Sequence, residues 1–283
     1  MTTSRPLATR RLIAEYVGTL LLVTAVVGSG IMAVTLSPGD VGLQLLENSI
    51  TTMLALAVLI VTLGPVSGAH LNPVVTVADW WLHRRHPNHL SAAEAAAYVG
   101  AQAVGAICGA VLANLMFGLP AVSWSATPRT TPHLWIGEAV ATGGLILLIF
   151  ALVRTHRTQY APAAVGAYIG AAYWFTSSTS FANPAVTIGR AFTDTFAGIS
   201  PTSVPAFIGF QIVGAAVGLA LVAVLYPRPH TVTGDTAVIE PAISPTAPDG
   251  PIGQIRPTRD ETAERLHTRR TELTTTGEEI TSR

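Results

Sequence analysis

The amino-acid sequence predicts an all-α membrane protein built as an inverted repeat, with three spans and one re-entrant half-helix in each half. Three observations carry that prediction. Of 283 residues, 49% are hydrophobic and only 11% charged, against about 25% charged in a soluble domain, and mean hydropathy is +0.48. Six stretches, near 12–35, 45–64, 91–116, 134–153, 161–178 and 203–226, approach the roughly 20 apolar residues that a bilayer core requires. Three motifs also recur in the same order: EYVGT (15–19) with EAVAT (138–142), NPVVT (72–76) with NPAVT (183–187), and QAVGAICG (102–109) with QIVGAAVG (211–218). An odd number of spans per repeat makes the second half enter the membrane from the opposite side.

The elements follow in chain order. Residues 1–11 form an N-terminal segment containing Arg5, Arg10 and Arg11, and residues 12–116 form the first repeat. A connecting loop, 117–133, leads to the second repeat, 134–226. The first hydrophobic run is long enough to remain as a span rather than be cleaved as a leader. Within each repeat a segment too short to cross begins at Pro73 or Pro184 and reads as re-entrant. Residues 227–283 are rich in Pro, Thr, Gly and charge, and read as a disordered tail with a short helix near 257–272.

Arginines set the orientation. Arg5, Arg10, Arg11, Arg84, Arg85, Arg154 and Arg157 fall on one side of a six-span chain, which is assigned to the cytoplasm with both termini. The connecting loop is then extracellular. The formal net charge of zero gives no reason to expect a nucleic-acid partner. Cys108, the single cysteine, excludes an internal disulfide and reads as a helix-packing residue. No metal and no cofactor is expected.

Asn-Pro at a helix start has a physical meaning. Asn is a favoured N-cap, and Pro suits the first helical position because its missing N–H would be unpaired there. Asn72 with Pro73 and Val74, and Asn183 with Pro184 and Ala185, therefore each begin a half-helix. Inversion points the two N-termini at each other near the bilayer centre, each with about half a positive elementary charge. Irregular backbone at that depth must pack in protein or line a wet cavity. Such a site opposes cations, protons included, and offers carbonyls and amides to small neutral hydroxylated solutes.

SGAHLNPV (67–74) and FANPAV (181–186) make the chain resemble the aquaporin, or major intrinsic protein, family over roughly residues 10–226. The resemblance implies a right-handed six-helix bundle, a pore in each subunit, homotetramers, and a multi-pass protein of a bacterial-type plasma membrane whose partners are water, small neutral solutes and lipid. It implies that Glu15 and Glu138 brace the re-entrant loops by accepting backbone N–H bonds. Glycine pairs at 105/109, 166/170 and 214/218 would let helices approach closely.

The same resemblance exposes a departure. Most members carry Arg after the second Asn-Pro-Ala, where it lines the outer constriction; here that residue is Val186. The other constriction positions fall at Thr52, Tyr173 and Ser180. Thr, Tyr, Ser and Val suggest a broad filter that passes water, polyols or neutral metalloid acids such as arsenite, with a water-selective channel as the alternative. Arg190 lies one turn beyond Val186 and is a candidate pore-mouth charge. The reading preferred from sequence is that it faces solvent or pairs with Asp194.

Other readings carry less. His83, His86 and His89 recur at three-residue spacing, but Pro87 breaks any helical face, so no metal site is assigned. His70 reads as a structural residue of the re-entrant loop, or as pore-lining through its backbone. No nucleophile with a positioned base appears in a span, so an enzyme is not expected. A coupled transporter would need acids at the midplane, whereas Glu15, Glu94 and Glu138 lie near span ends.

Overall fold

A computed structural model describes residues 5–86 and 89–227; the expected tail lies outside the described residues apart from its first position. The described chain is helical: α1 (Arg5–Leu36), α2 (Val41–Ser67), α3 (Pro73–His83), α4 (Ala92–Met116), α5 (Pro132–Arg154), α6 (Ala161–Phe175), α7 (Pro184–Gly189) and α8 (Val204–Leu225). Short 3-10 turns occupy Thr158–Tyr160, Arg190–Phe192 and Pro201–Ser203. Among the described residues, α1, α2, α4, α5 and the segment Pro201–Leu225 are long and apolar enough to cross a membrane. With 15 residues α6 is shorter, but the 3-10 turn before it brings the pair to about 28 Å.

Local chemistry sets the helix ends. Asp40 caps α2 by accepting from the Leu43 N–H at 2.9 Å, and α2 stops at Gly68, whose φ of 91° suits glycine. Ser91 and Glu94 form a capping box at the start of α4. Two expected boundaries move. The first helix begins at Arg5, so Arg10 and Arg11 are helical. The fifth span, read as 161–178, ends at Phe175 because Thr176 turns extended. Thr176 Oγ1 donates to Ala172 O at 2.7 Å, and Ser178 Oγ accepts from the Ser180 N–H at 3.2 Å; such side-chain bonds compete with helix continuation.

The repeat is visible in the packing. α1 lies against α4 as α5 lies against α8, while α2 and α6 meet across the pseudo-symmetry axis. The close approaches use matched glycines: a Cβ added at Gly105 would collide with Tyr16 O, and one added at its counterpart Gly214 would collide with Ala139 O. The usual inside-outside pattern of a soluble protein is reversed. Glu15, Gln102, Glu138 and Gln211 are completely buried, whereas Leu54, Val58, Val61, Ile212, Val217 and Val224 are more than half exposed on helix faces.

Candidate functional site: a lumen between two half-helices

The loops before α3 and α7 are built alike. Asn72 and Asn183 are extended N-caps, with φ of −158° and −157°. Asn72 Oδ1 accepts from the Val74 N–H at 3.1 Å, and Asn183 Oδ1 accepts from the Ala185 N–H at 3.0 Å. Capping fixes each amide so that its nitrogen faces away from its own helix. Asn72 Nδ2 then donates to Ala182 O at 2.8 Å, and Asn183 Nδ2 donates to Leu71 O at 2.7 Å. The two half-helix N-termini therefore meet, each tied to the loop of the other. Each amide nitrogen has two hydrogens, so one N–H remains beyond this cross-link.

Both loops carry left-handed non-glycine residues at matched places, Ala69 and Leu71 (φ 47° each) against Ser180 and Ala182 (φ 49° and 48°). Such conformations cost about 1–3 kcal/mol each and persist only where the surroundings hold them. Two carboxylates do so. Glu15 accepts from the His70 and Leu71 N–H groups at 3.0 and 2.7 Å; Glu138 accepts from those of Phe181 and Ala182, both at 2.9 Å. Behind each stands a glutamine. Gln102 Nε2 donates to Glu15 at 2.7 Å and to Thr76 Oγ1 at 2.9 Å, and Gln211 Nε2 donates to Glu138 at 2.6 Å and to Thr187 Oγ1 at 2.9 Å. Sequence reasoning missed these glutamines and threonines, although the matched QAVGAICG/QIVGAAVG and NPVVT/NPAVT motifs contain them.

Asn72 and Asn183 line a cavity of about 680 Å³ that extends along α2 from Thr52 to Pro65, a rise of about 20 Å. One wall is apolar, with Leu56, Ile60, Leu145, Ile149 and Ile169. The other carries the two re-entrant loops, from Gly68 to Asn72 and from Ser180 to Asn183. At one end lie His70, Asp79 and Gln159; toward the other lie Thr52, Tyr173, Ser180, Val186 and Arg190. Thr52 Oγ1 and Tyr173 OH are 3.2 Å apart and hydrogen-bonded. Ser180 Oγ is buried without a protein partner. All four positions assigned to the constriction thus border one space.

Arg190 departs from the preferred sequence reading. It is 2% exposed, its guanidinium lies 3.4 Å from the Phe181 ring centroid, and Nε donates to Ala197 O. It neither faces solvent nor pairs with Asp194, whose Oδ1 accepts instead from the Ala126 N–H at 3.0 Å. The reason is local: the α-helix ends at Gly189 and continues as a 3-10 turn, so the side chain no longer follows the helical row of Val186. A second guanidinium, given no site role from sequence, shares the same ring. Arg129, half-buried in the connecting loop, lies 4.9 Å from the Phe181 centroid and donates to Gly198 O at 3.1 Å. Burial lowers its pKa below the usual range, while the Glu138 charge opposes that shift.

At the opposite end His70 donates its backbone N–H to Glu15, and its ring nitrogen Nδ1 lies 3.1 Å from Thr76 Oγ1. His83 and His89, separated by Pro87 in sequence, come together around Asp79, so the break in helical spacing does not keep them apart. Glu94 is engaged in the capping box with Ser91 and lies outside the cavity lining.

Two half-helices joined tip to tip, braced by paired carboxylates beside a continuous lumen, define a membrane channel of the duplicated type. The major intrinsic protein family model matches residues 2–180, and the chain belongs to that family, whose members are channels for water and small solutes. An aquaglyceroporin, AqpS of Rhizobium meliloti, is 51% identical over 75% of this chain and 88% of its own. A probable aquaporin, AqpM of Archaeoglobus fulgidus, is 28% identical over 77% and 95%. The X-ray structure of the aquaglyceroporin from Plasmodium falciparum matches 76% of this chain and 95% of its own, with a TM-score of 0.57 and 21% identity. That last likeness bears on the fold alone.

Proposed function

We propose that this protein is a passive channel for water and small uncharged solutes, polyols of glycerol size or neutral metalloid acids, and that it excludes ions and protons. The observation that carries the reading is the reciprocal pair of bonds from Asn72 to Ala182 O and from Asn183 to Leu71 O inside the lumen. A solute there meets two amide donors and a row of carbonyls on one side and an apolar wall on the other. That suits molecules whose hydroxyls lie along one edge. A cation meets two converging helix N-termini and, further out, the Arg190 guanidinium.

Thr52, Tyr173, Ser180 and Val186 form the outer constriction in this reading, and Arg190 supplies the charge that Val186 does not. Its guanidinium enters from one turn further along the chain, so the opening keeps a positive charge but has isopropyl bulk where most members place the arginine. This favours a broader filter than a water-selective one. The similarity to an aquaglyceroporin supports the same choice. A coupled transporter is disfavoured because Glu15 and Glu138 are occupied by backbone N–H groups rather than free to carry a coupling ion. The protein resides in a bacterial-type plasma membrane as a homotetramer, with both termini and the His70–Asp79 end of the lumen facing the cytoplasm.

Stopped-flow measurements on vesicles containing the purified protein test the reading. Water and glycerol permeabilities should both rise above those of empty vesicles, without saturation and without dependence on an ion gradient. A glycerol permeability equal to that of empty vesicles would remove the solute assignment.

A further inference from the structure

We propose that Asp79, His83 and His89 bind a divalent transition ion of the zinc class beside the lumen end marked by His70. Their potential ligand atoms all lie within 4.8 Å of one another. His83 Nδ1 is 3.0 Å from Asp79 Oδ1, and His89 Nδ1 is 3.9 Å from Asp79 Oδ2. Tetrahedral zinc with bonds near 2.1 Å sets its donors about 3.4 Å apart, a value between these two distances, so small side-chain rotations suffice. One carboxylate with two imidazoles is a donor set for zinc, nickel or copper rather than magnesium or calcium.

The scaffold is built for this convergence. Asp79 and His83 stand one turn apart on α3, the spacing by which a helix offers two ligands on one face. Two successive turns follow: the His86 N–H donates to His83 O at 2.8 Å, and the His89 N–H donates to His86 O at 3.3 Å. They return the His89 ring onto that of His83, with centroids 4.2 Å apart and planes 14° from parallel. His70 Nε2, 3.9 Å from Asp79 Oδ2, borders the carboxylate from the lumen side. The side chains of Asp79, His83 and His89 are 20%, 20% and 39% exposed, which leaves an entry path and room for water as a fourth ligand.

The position gives such an ion a consequence that rests on the channel reading. Asp79 and His70 both line the lumen, so an ion held on Asp79 adds charge and bound water at its mouth. Occupancy then slows solute passage.

The test uses the full chain and Zn²⁺ alone. Equilibrium dialysis of purified protein with elemental analysis should find one ion bound per chain at this site. His83→Ala and His89→Ala should each weaken that binding at least about tenfold, and Asp79→Asn should do the same. His133→Ala, which lies outside the cluster, should leave it unchanged. Equal binding by wild type and all three cluster variants would overturn the site. In vesicles, Zn²⁺ on the Asp79 side should slow glycerol flux through wild type and not through His89→Ala, whose exposed ring tolerates removal. Binding lost in His89→Ala with the same zinc effect on flux would overturn the claim of control at the mouth. If metal-free wild type passes no glycerol at all, the channel reading fails, while the dialysis result still decides the site.

Discussion

Phe181 holds two guanidiniums on its faces, and the exchange of residues around it bears most on what passes. Arg190 and Arg129 approach that ring at 3.4 and 4.9 Å without a carboxylate partner, so cation–π attraction and backbone carbonyls hold them. Val186→Arg should place a third cation one turn from Arg190 and narrow the outer lumen. Glycerol permeability should fall by about tenfold, roughly 1.4 kcal/mol of added barrier, while water permeability falls less; equal glycerol flux before and after would refute the wide filter. Arg190→Met should raise the flux of larger polyols relative to glycerol. Its stability should change by less than about 2 kcal/mol, because loss of the ring contact is offset by relief of a buried charge; thermal unfolding in detergent checks this. Val186 was legible because it sits a fixed distance after Asn183. The direction of Arg190 was not, since it depends on where a six-residue helix gives way to a 3-10 turn. The histidine cluster was hidden for a related reason: turns rather than helical periodicity bring His89 back to His83.

At the scale of elements, the half-helices depend on their braces. Each re-entrant loop holds left-handed residues that the carboxylate behind it helps to keep in place. Glu138→Gln leaves one acceptor oxygen where two served the Phe181 N–H, the Ala182 N–H and Gln211 Nε2, and sets an amide nitrogen against at least one of those donors. The loss should be on the order of 3 kcal/mol, seen as a lower unfolding temperature together with reduced water flux. An unchanged unfolding temperature would mean that the loop is held some other way. Gly109→Leu or Gly214→Leu would drive a side chain into the backbone of α1 or α5, and should abolish the monodisperse peak in size-exclusion chromatography. The half-helix starts were readable from Asn-Pro, since capping and proline chemistry are local. The end of α6 was not, because hydropathy alone carried the expected span through Ser178, whereas Thr176 and Ser178 divert their hydroxyls to the backbone. The braces were expected from Glu15 and Glu138 by resemblance; their glutamine supports were present in the repeated motifs without a signal of whom they would touch.

On the scale of the whole molecule, the fold places polar groups inside and apolar faces outside, as lipid requires. Duplication with inversion then brings two helix N-termini to one point. In the proposed channel that field would act on charge and leave neutral solutes to the loop backbone. The apolar wall of α2, α5 and α6 suits the proposed passage without saturation. The most direct test of this account pairs two readings on the same vesicle preparation: glycerol permeability by stopped-flow light scattering, and ionic current after fusion into a planar bilayer. The account predicts glycerol permeability well above that of empty vesicles together with no current above the bare bilayer. Steady protein-dependent current of sodium, potassium or protons would contradict it.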